Sequence, residues 1–435
     1  MKIYPDYKSI DQLWLTEIPR KWQMIKIKYA FEERSEKGYP DEPLLVASQN
    51  MGVVPKSLYG NRTVEAQKDL HLLKLVRIGD FVISLRSFQG GIEYAYYQGI
   101  ISPAYTIMIS KDILTSGYFR YLAKSYSFIE LLKTCVTGIR EGQNIDYSKL
   151  KNYRVPVPPR SEQDQIVRFL DWKVSSINKL INIKRKEIIE LKSLKRSVVN
   201  HVVTHGLSPD IVMKNSGVSW LGKIPAHWEV LALKHMCSMK SGDNLTNLEI
   251  IDNGGYKVYG GNGMRGFFHR FNCENECVLI GRQGALCGNV HLVTERIWAT
   301  DHAVITKAFR NISTKYLYYL LMAMNLNQYG QSTAAQPGIS VGVIKNLSAC
   351  LPPRIEQDQI VTYLETTNEN YDKVAQIIDA EITALSELKA RLISDVVTGK
   401  MDVRGIEIPE YKLVEVTEDV EADSKEIVEE ELEND

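Results

Sequence analysis

At 435 residues the chain exceeds one typical hydrophobic core, and at roughly 150 residues per unit its length suggests about three units. Apolar residues make up 44% and charged residues 24%; the longest apolar run is the nine residues Tyr316 to Met324, too short for a membrane-spanning helix. Formal net charge is zero, the six cysteines are too sparse for a disulfide framework, and the opening MKIYPDYKSIDQ meets charge and proline too early for a signal peptide, so a reducing cytoplasm with free thiols is expected.

In chain order, the first recurring element is WLTEIPRKW, Trp14 to Trp22, which returns as WLGKIPAHW at Trp220 to Trp228. A block follows, about 23 to 157, rich in glycine, aromatic and β-branched residues in short runs such as RIGDFVISLRSFQGG, Arg77 to Gly91. That texture predicts strands joined by loops. The loop ASQNMGVVPK offers Gln49, Asn50 and Lys56; FVISLR delivers Arg86 with Gln89 close behind; GIREGQN adds Arg140 and Gln143. Arginine and glutamine can each make bidentate contacts with base edges, arginine with guanine and glutamine with adenine, although every one of these residues could equally be an ordinary loop side chain.

At Pro158 to Val167 the sequence PPRSEQDQIV opens a long segment with apolar residues at spacings of three and four, from Val167 through Leu170, Val174, Ile177 and Ile181 to Val202. The same segment returns from PPRIEQDQIV at Pro352 to Val361, and 20 of the 47 positions aligned without a gap are identical. Five heptads predict a coiled-coil helix, entered after Pro-Pro with acids in the first turn and left near Gly206 or Gly399. About 42 residues at 1.5 Å rise give a helix near 65 Å, longer than a globular core requires, which makes it a spacer. Residues 161 to 204 carry nine basic against five acidic side chains, and 355 to 398 three against nine, so the two helices should pair with each other, antiparallel. A coiled coil between two chains is the alternative.

The second block, 229 to 351, contains the glycine loop YKVYGGNGMRGFF with Asn262 and Arg265, and CVLIGR followed by glutamine, giving Arg282 and Gln283; Gln336 is a further candidate. Cys273, Cys277, Cys287 and His291 have a spacing that could hold zinc, or are small buried strand residues. Gly217 to Lys223 imitates a phosphate-binding loop, but Ile224 stands where a Mg-binding hydroxyl belongs. Residues 415 to 435 carry eleven acids against Lys425 alone, a balance of −10 that leaves +10 on the rest. The tail from Glu415 is expected to be disordered and solubilising, and the basic body suits a polyanionic partner.

Each half therefore reads Trp-Leu-x-x-Ile-Pro-x-x-Trp, variable block, Pro-Pro-Arg-x-Glu-Gln and long helix. WLGKIPAHW, YGGNGMRGF and PPRIEQDQIV in this doubled order resemble the specificity subunit of type I restriction-modification systems, over residues 11 to 410. The resemblance implies an α+β chain in which two β-rich target recognition domains are joined by two antiparallel coiled-coil helices in a pseudo-twofold repeat. Its divisions are 1–157 and 207–351 for the recognition domains, 158–206 and 352–400 for the spacer helices, and 401–435 for the C-terminal segment.

It also implies a non-catalytic subunit that reads a bipartite target in double-stranded DNA, and the sequence accordingly lacks the Asn-Pro-Pro or Asp-Pro-Pro of an adenine methyltransferase. No cofactor would be bound by this chain. S-adenosylmethionine would sit in two methyltransferase partners, and ATP and Mg in restriction partners. The helix starts, Pro158, Pro159, Glu162, Gln163, Pro352, Pro353, Glu356 and Gln357, would meet those partners. In the first half TEIPRK stands where the second has GKIPAH, and the glycine loop is absent.

Overall fold

A computed structural model of the chain describes residues 3–12, 14–59, 69–84, 87–137, 144–284, 287–333 and 336–416, with the side chains of 88 and 331–337 outside the description. The expected disordered tail lies outside the described residues from 417 onward. The chain divides into two compact units, residues 3–184 with 380–416 and residues 185–379.

Unit 1 is built on a four-stranded antiparallel sheet in spatial order Phe31–Arg34, Thr106–Ser110, Phe81–Ile83, Glu93–Tyr94. All three residues of Phe81–Ile83 are buried, as a short apolar run between turn signals predicts. Helices Ser116–Leu122 and Tyr126–Thr134 bury Phe119, Leu122, Phe128 and Leu132 in the same core. Thr115 caps the first of them, its hydroxyl accepting from the Tyr118 N–H at 3.2 Å. A strand pair, Gln23–Lys26 with Arg154–Val157, closes the block where it meets the helix start.

Unit 2 repeats this plan. Its four-stranded sheet runs Cys237–Ser241, Ala303–Ala308, Cys277–Gly281, Val290–Val293, the same chain-order pattern of first, fourth, second, third. The closing pair is Glu229–Ala232 with Ser348–Leu351, and Ser313 caps helix Thr314–Ala323. A small hairpin precedes each block, Tyr7–Ser9 with Glu17–Pro19 and Met213–Asn215 with Lys223–Pro225. The blocks share little sequence because a buried strand asks for an apolar residue that fits rather than a particular one.

The long helices are α1, Arg160–His205, and α2, Arg354–Val397. Each leaves its last turn through a left-handed glycine, Gly206 or Gly399, both at φ 77°. Each helix also contributes one half to each unit. The start of α1 and the end of α2 share the unit 1 core through Ile166, Phe169, Leu170, Val396 and Val397. The end of α1 and the start of α2 share the unit 2 core through Val199, Val202, Val203, Ile360 and Leu364. These contacts group the chain differently from the linear divisions of the sequence, because a helix this long has a different neighbour at each end.

In unit 1, Lys184 pairs with Glu381 at 3.0 Å and Lys389 donates to Asn178 Oδ1 at 3.1 Å; in unit 2, Lys195 pairs with Asp372 at 2.7 Å. Residue numbers rise on one helix as they fall on the other, the order of antiparallel neighbours, and the lysines come mainly from the basic helix. Among the described residues no helix is long and apolar enough to cross a membrane.

Candidate nucleic-acid interface

The two recurring motifs lock together. Trp22 Nε1 donates to Glu162 Oε1 at 2.9 Å, and Trp228 Nε1 donates to Glu356 Oε2 at 2.9 Å. The next residue completes the joint: Gln163 Oε1 accepts the Thr115 N–H at 2.8 Å and Nε2 donates to the Pro158 carbonyl at 2.9 Å, while Gln357 does the same with Ser313 and Pro352 at 2.8 and 2.9 Å. Glu162, Gln163, Gln357, Pro158 and Pro352 are buried, Glu356 is half-buried, and Pro159 and Pro353 are exposed.

The polar helix-start residues thus spend their hydrogen bonds inside their own unit, holding the helix to the sheet and its capped helix. Both motifs stand out in the sequence, but neither one alone identifies the other as its partner. The signal was there, since tryptophan and glutamate recur together.

With the frame fixed, one end of the unit 2 sheets gathers its loops. Hairpin Tyr256–Gly260 with Gly263–Phe268 carries Asn262 exposed at its tip, and the tip packs against the end of Cys277–Gly281 so closely that a Cβ on Gly281 would collide with the Gly261 carbonyl. The Arg282 N–H donates to the His302 carbonyl at 2.8 Å, and the Ile339 N–H donates to the Arg282 carbonyl at 2.9 Å. Gln283 bridges to Gly338 in strand Gln336–Gly338 and keeps its side chain exposed.

Arg282 braces this cluster: Nη1 donates to Ser241 Oγ at 2.8 Å and to the Asp301 carbonyl at 3.3 Å. Arg265 turns to another neighbour, donating to Asn247 Oδ1 at 3.0 Å. The structure therefore brings Asn262, Arg282 and Gln283 together with the strand that carries Gln336, whose side chain is outside the description. It adds Ser241, at the end of Cys237–Ser241, and Asp301 with His302, in the turn before Ala303–Ala308, which no linear motif joins.

In unit 1 the matching hairpin is Leu45–Ser48 with Gly52–Pro55, so the counterpart of the glycine loop expected to be absent is present in the fold, with Gly52 at its turn. Gln49 and Asn50 are exposed in its turn, and Lys56 opens the helical turn Lys56–Tyr59 that follows. Gly52, at φ 77°, supplies the left-handed backbone there, and a Cβ on it would sit 2.7 Å from the Tyr94 carbonyl.

Lys124 ties this turn to the next loop, donating from Nζ to the carbonyls of Gln49 at 3.2 Å and Gly90 at 2.9 Å and to Glu93 at 2.7 Å. Burial pushes the Glu93 carboxyl up to about 7, against the opposing pull of Lys124. Gln89 is exposed in the turn Ser87–Gly90, whose Gly90 lies against the Gln49 side chain. Arg86, Arg140 and Gln143 lie outside the described residues.

The four residues with zinc-like spacing do not converge. Cys273 Sγ and Cys277 Sγ are 3.2 Å apart, Cys287 packs against Gly330, and His291 lies beneath Gly263. Among the described residues no group of three or more His, Cys, Asp or Glu side chains could hold a metal ion.

Two copies of one β-rich domain, each locked by a tryptophan to a shared pair of long helices, define a duplicated fold with a different loop cluster in each copy. The model of the type I restriction modification DNA specificity domain matches residues 19–193 and 225–384, and the chain belongs to that family. It is similar to the Type I restriction enzyme EcoprrI specificity subunit of Escherichia coli, 34% identical over 149 residues, which are 33% of this chain and 37% of that subunit.

The alignment with this relative thus spans about a third of its length. The MjaVIII specificity subunit of Methanocaldococcus jannaschii is 22% identical over 93% of this chain and 99% of its own. A chain solved in work on complex assembly and conformational transition of the type I R-M system shares the fold with TM-score 0.64 at 14% identity, over 88% of this chain and 99% of that one.

Proposed function

We propose that this chain is the DNA-reading subunit of a type I restriction-modification complex and performs no chemistry itself. Each unit reads one half of a split target in double-stranded DNA, through Gln49, Asn50 and Gln89 in unit 1 and Asn262, Gln283 and their neighbours in unit 2. The paired helices act as a coiled-coil ruler that sets the gap, since a pair of linked readers suits a target of two separated half-sites.

Two methyltransferase subunits carry S-adenosylmethionine and modify adenine at the places this chain selects; restriction subunits supply ATP- and Mg-dependent cleavage, inside the cytoplasm. The observation that carries this reading is one frame repeated with two different loop clusters, as a protein that reads two different half-sites requires.

Modified-base sequencing of DNA from cells expressing this chain with its neighbouring methyltransferase gene tests it. Methyladenine in a split motif, absent when this chain is omitted, is the expected result. No motif, with both proteins folded and associated, would leave an interaction scaffold as the reading.

A further inference from the structure

Asparagine followed by glycine occurs at two places in the chain, Asn253–Gly254 and Asn262–Gly263. The pair matters chemically, because the backbone nitrogen after an asparagine can attack its side-chain amide, and glycine has no Cβ to shield that nitrogen. Asn262 sits in the turn between the paired Gly260 and Gly263, exposed, and its side chain makes no hydrogen bond among the described residues. Asn253 is exposed too, but it precedes Tyr256, whose partner Phe268 lies at the opposite end of the hairpin from the tip.

What sets the tip apart is His291. A Cβ on Gly263 would lie 3.7 Å from its Cε1 and 4.0 Å from its Nε2, whereas one on Gly254 would meet nothing within 4 Å. The His291 Nε2 is buried and has no hydrogen-bond partner among the described residues. Burial also lowers the imidazole below its ordinary pKa, so the ring is uncharged at neutral pH. An uncharged imidazole with an unclaimed nitrogen, lying beneath a backbone amide, is placed to act as a general base.

We propose that Asn262–Gly263 is a self-modification site, at which the tip asparagine becomes aspartate or isoaspartate and unit 2 loses its half-site. His291 accepts the proton of the Gly263 N–H as that nitrogen attacks Asn262 Cγ. The new N–Cγ bond closes a cyclic imide, the Cγ–Nδ2 bond breaks, and ammonia leaves with the proton that His291 held. Water then opens the imide at either of its carbonyls; nothing is oxidised or reduced.

Both products carry a carboxylate where a polyanion is to be read, and isoaspartate also adds a methylene to the backbone of the turn. The tip has no slack for it, since Gly261 already packs against Gly281 with no room for a Cβ between them. In the unit 1 hairpin Asn50 is followed by Met51, so that copy is spared. The chemistry needs only the hairpin and His291, whereas the loss of reading rests on the function proposed above.

To test it, the full chain is held in mildly alkaline buffer and digested with trypsin at intervals. Cleavage puts Asn262 in Val258–Arg265 and Asn253 in Ser241–Lys257, so mass spectrometry follows the two separately. Acid should appear at Asn262 about tenfold faster than at Asn253, and either His291→Gln or unfolding in urea should remove that lead. An amide retained at Asn262, or a rate no greater than that of Asn253, overturns the site. With the neighbouring methyltransferase, Asn262→Asp should lower methylation of the split motif about tenfold and Asn253→Asp should leave it unchanged. Undiminished methylation by Asn262→Asp overturns the silencing. If the unsubstituted chain directs no split motif at all, it is the reading of DNA that fails, and the mass gain at Asn262 still decides the site.

Discussion

Unit 1 and unit 2 share a frame and differ in how that frame is closed. Glu162 in unit 1 is buried and accepts from Tyr4 Oη as well as from Trp22. Glu356 in unit 2 is a third exposed, and its second partner is His227 Nε2 at 2.7 Å, itself open to water. The same joint is thus dry in one copy and wet in the other. Trp22 and Trp228 are both fully buried, so the copies differ in the second donor: the buried Tyr4 hydroxyl would bear the full desolvation cost on losing its partner, whereas the exposed His227 turns to water.

The largest expected effect breaks that symmetry directly. Glu162→Ala strands a buried indole N–H and a buried phenol, at about 3 kcal/mol, while Glu356→Ala costs about 1 kcal/mol. Urea unfolding of each variant measures the pair, and equal losses would dissolve the distinction between dry and wet joints.

Next come the close approaches that shape the loop clusters. Gly281→Ala drives a methyl into the Gly261 carbonyl, and Gly52→Ala places one against the Tyr94 carbonyl at a left-handed φ, so each should cost about 1–3 kcal/mol. If each unit reads one half-site, as proposed, each should blunt discrimination in the half-site of its own unit and leave the other half intact. Methylation of a set of half-site variants checks this; a joint loss in both halves would mean that the clusters do not read independently.

A third contrast is one of pH. Glu93 belongs to unit 1 only, and its folded carboxyl titrates near 7 against an ordinary value of 4.5. Between these values the unfolded chain has lost the proton that the folded chain keeps, so the contribution of this group to stability is full below about 4.5 and is lost as pH rises toward 7. Glu93→Gln should flatten the fall in unit 1 stability over that window, by on the order of 2–3 kcal/mol at most, since Lys124 stays partly exposed to solvent. Thermal melts at pH 5 and pH 7 report it; an unchanged slope would place the proton elsewhere.

The smallest effects are those of the exposed tips. Asn50→Ala and Gln283→Ala should change stability by less than about 0.5 kcal/mol, yet each should alter preference within one half-site. Arg282→Ala should instead loosen the whole unit 2 cluster, because its guanidinium joins Ser241 to Asp301. Partial rescue by Arg282→Lys of stability, with selectivity still changed, would separate bracing from reading.

Much of the frame was legible in the sequence because it is written twice. The duplicated tryptophan and Pro-Pro-Arg-x-Glu-Gln motifs marked the units, and the apolar period with a terminal glycine marked both helices. The pairing of Trp22 with Glu162 was legible only through the joint recurrence of the two residues, since 140 residues separate partners that no local period connects. The unit 1 hairpin was hidden for another reason. ASQNMG and YGGNGM place asparagine at the same turn, but glycine is obligatory only where the backbone demands it, and Gly52 and Gly263 meet that demand in different settings. The loop clusters were legible only as residue types, because Ser241, Asp301 and His302 come together through sheet order.

The Tyr7 hydroxyl donates to the Gly399 carbonyl at 3.0 Å, and Tyr118 Oη to that of Val397 at 2.8 Å. Unit 1 is therefore assembled from two stretches of chain nearly 200 residues apart, whereas unit 2 is continuous from 185 to 379. During synthesis at roughly 5–20 residues per second, unit 2 can close as soon as it emerges, while the first half of unit 1 must wait ten seconds or more for the end of α2. The later-written unit is the earlier to finish, and the first-written one, with its apolar core incomplete in the interval, is where a chaperone would be needed.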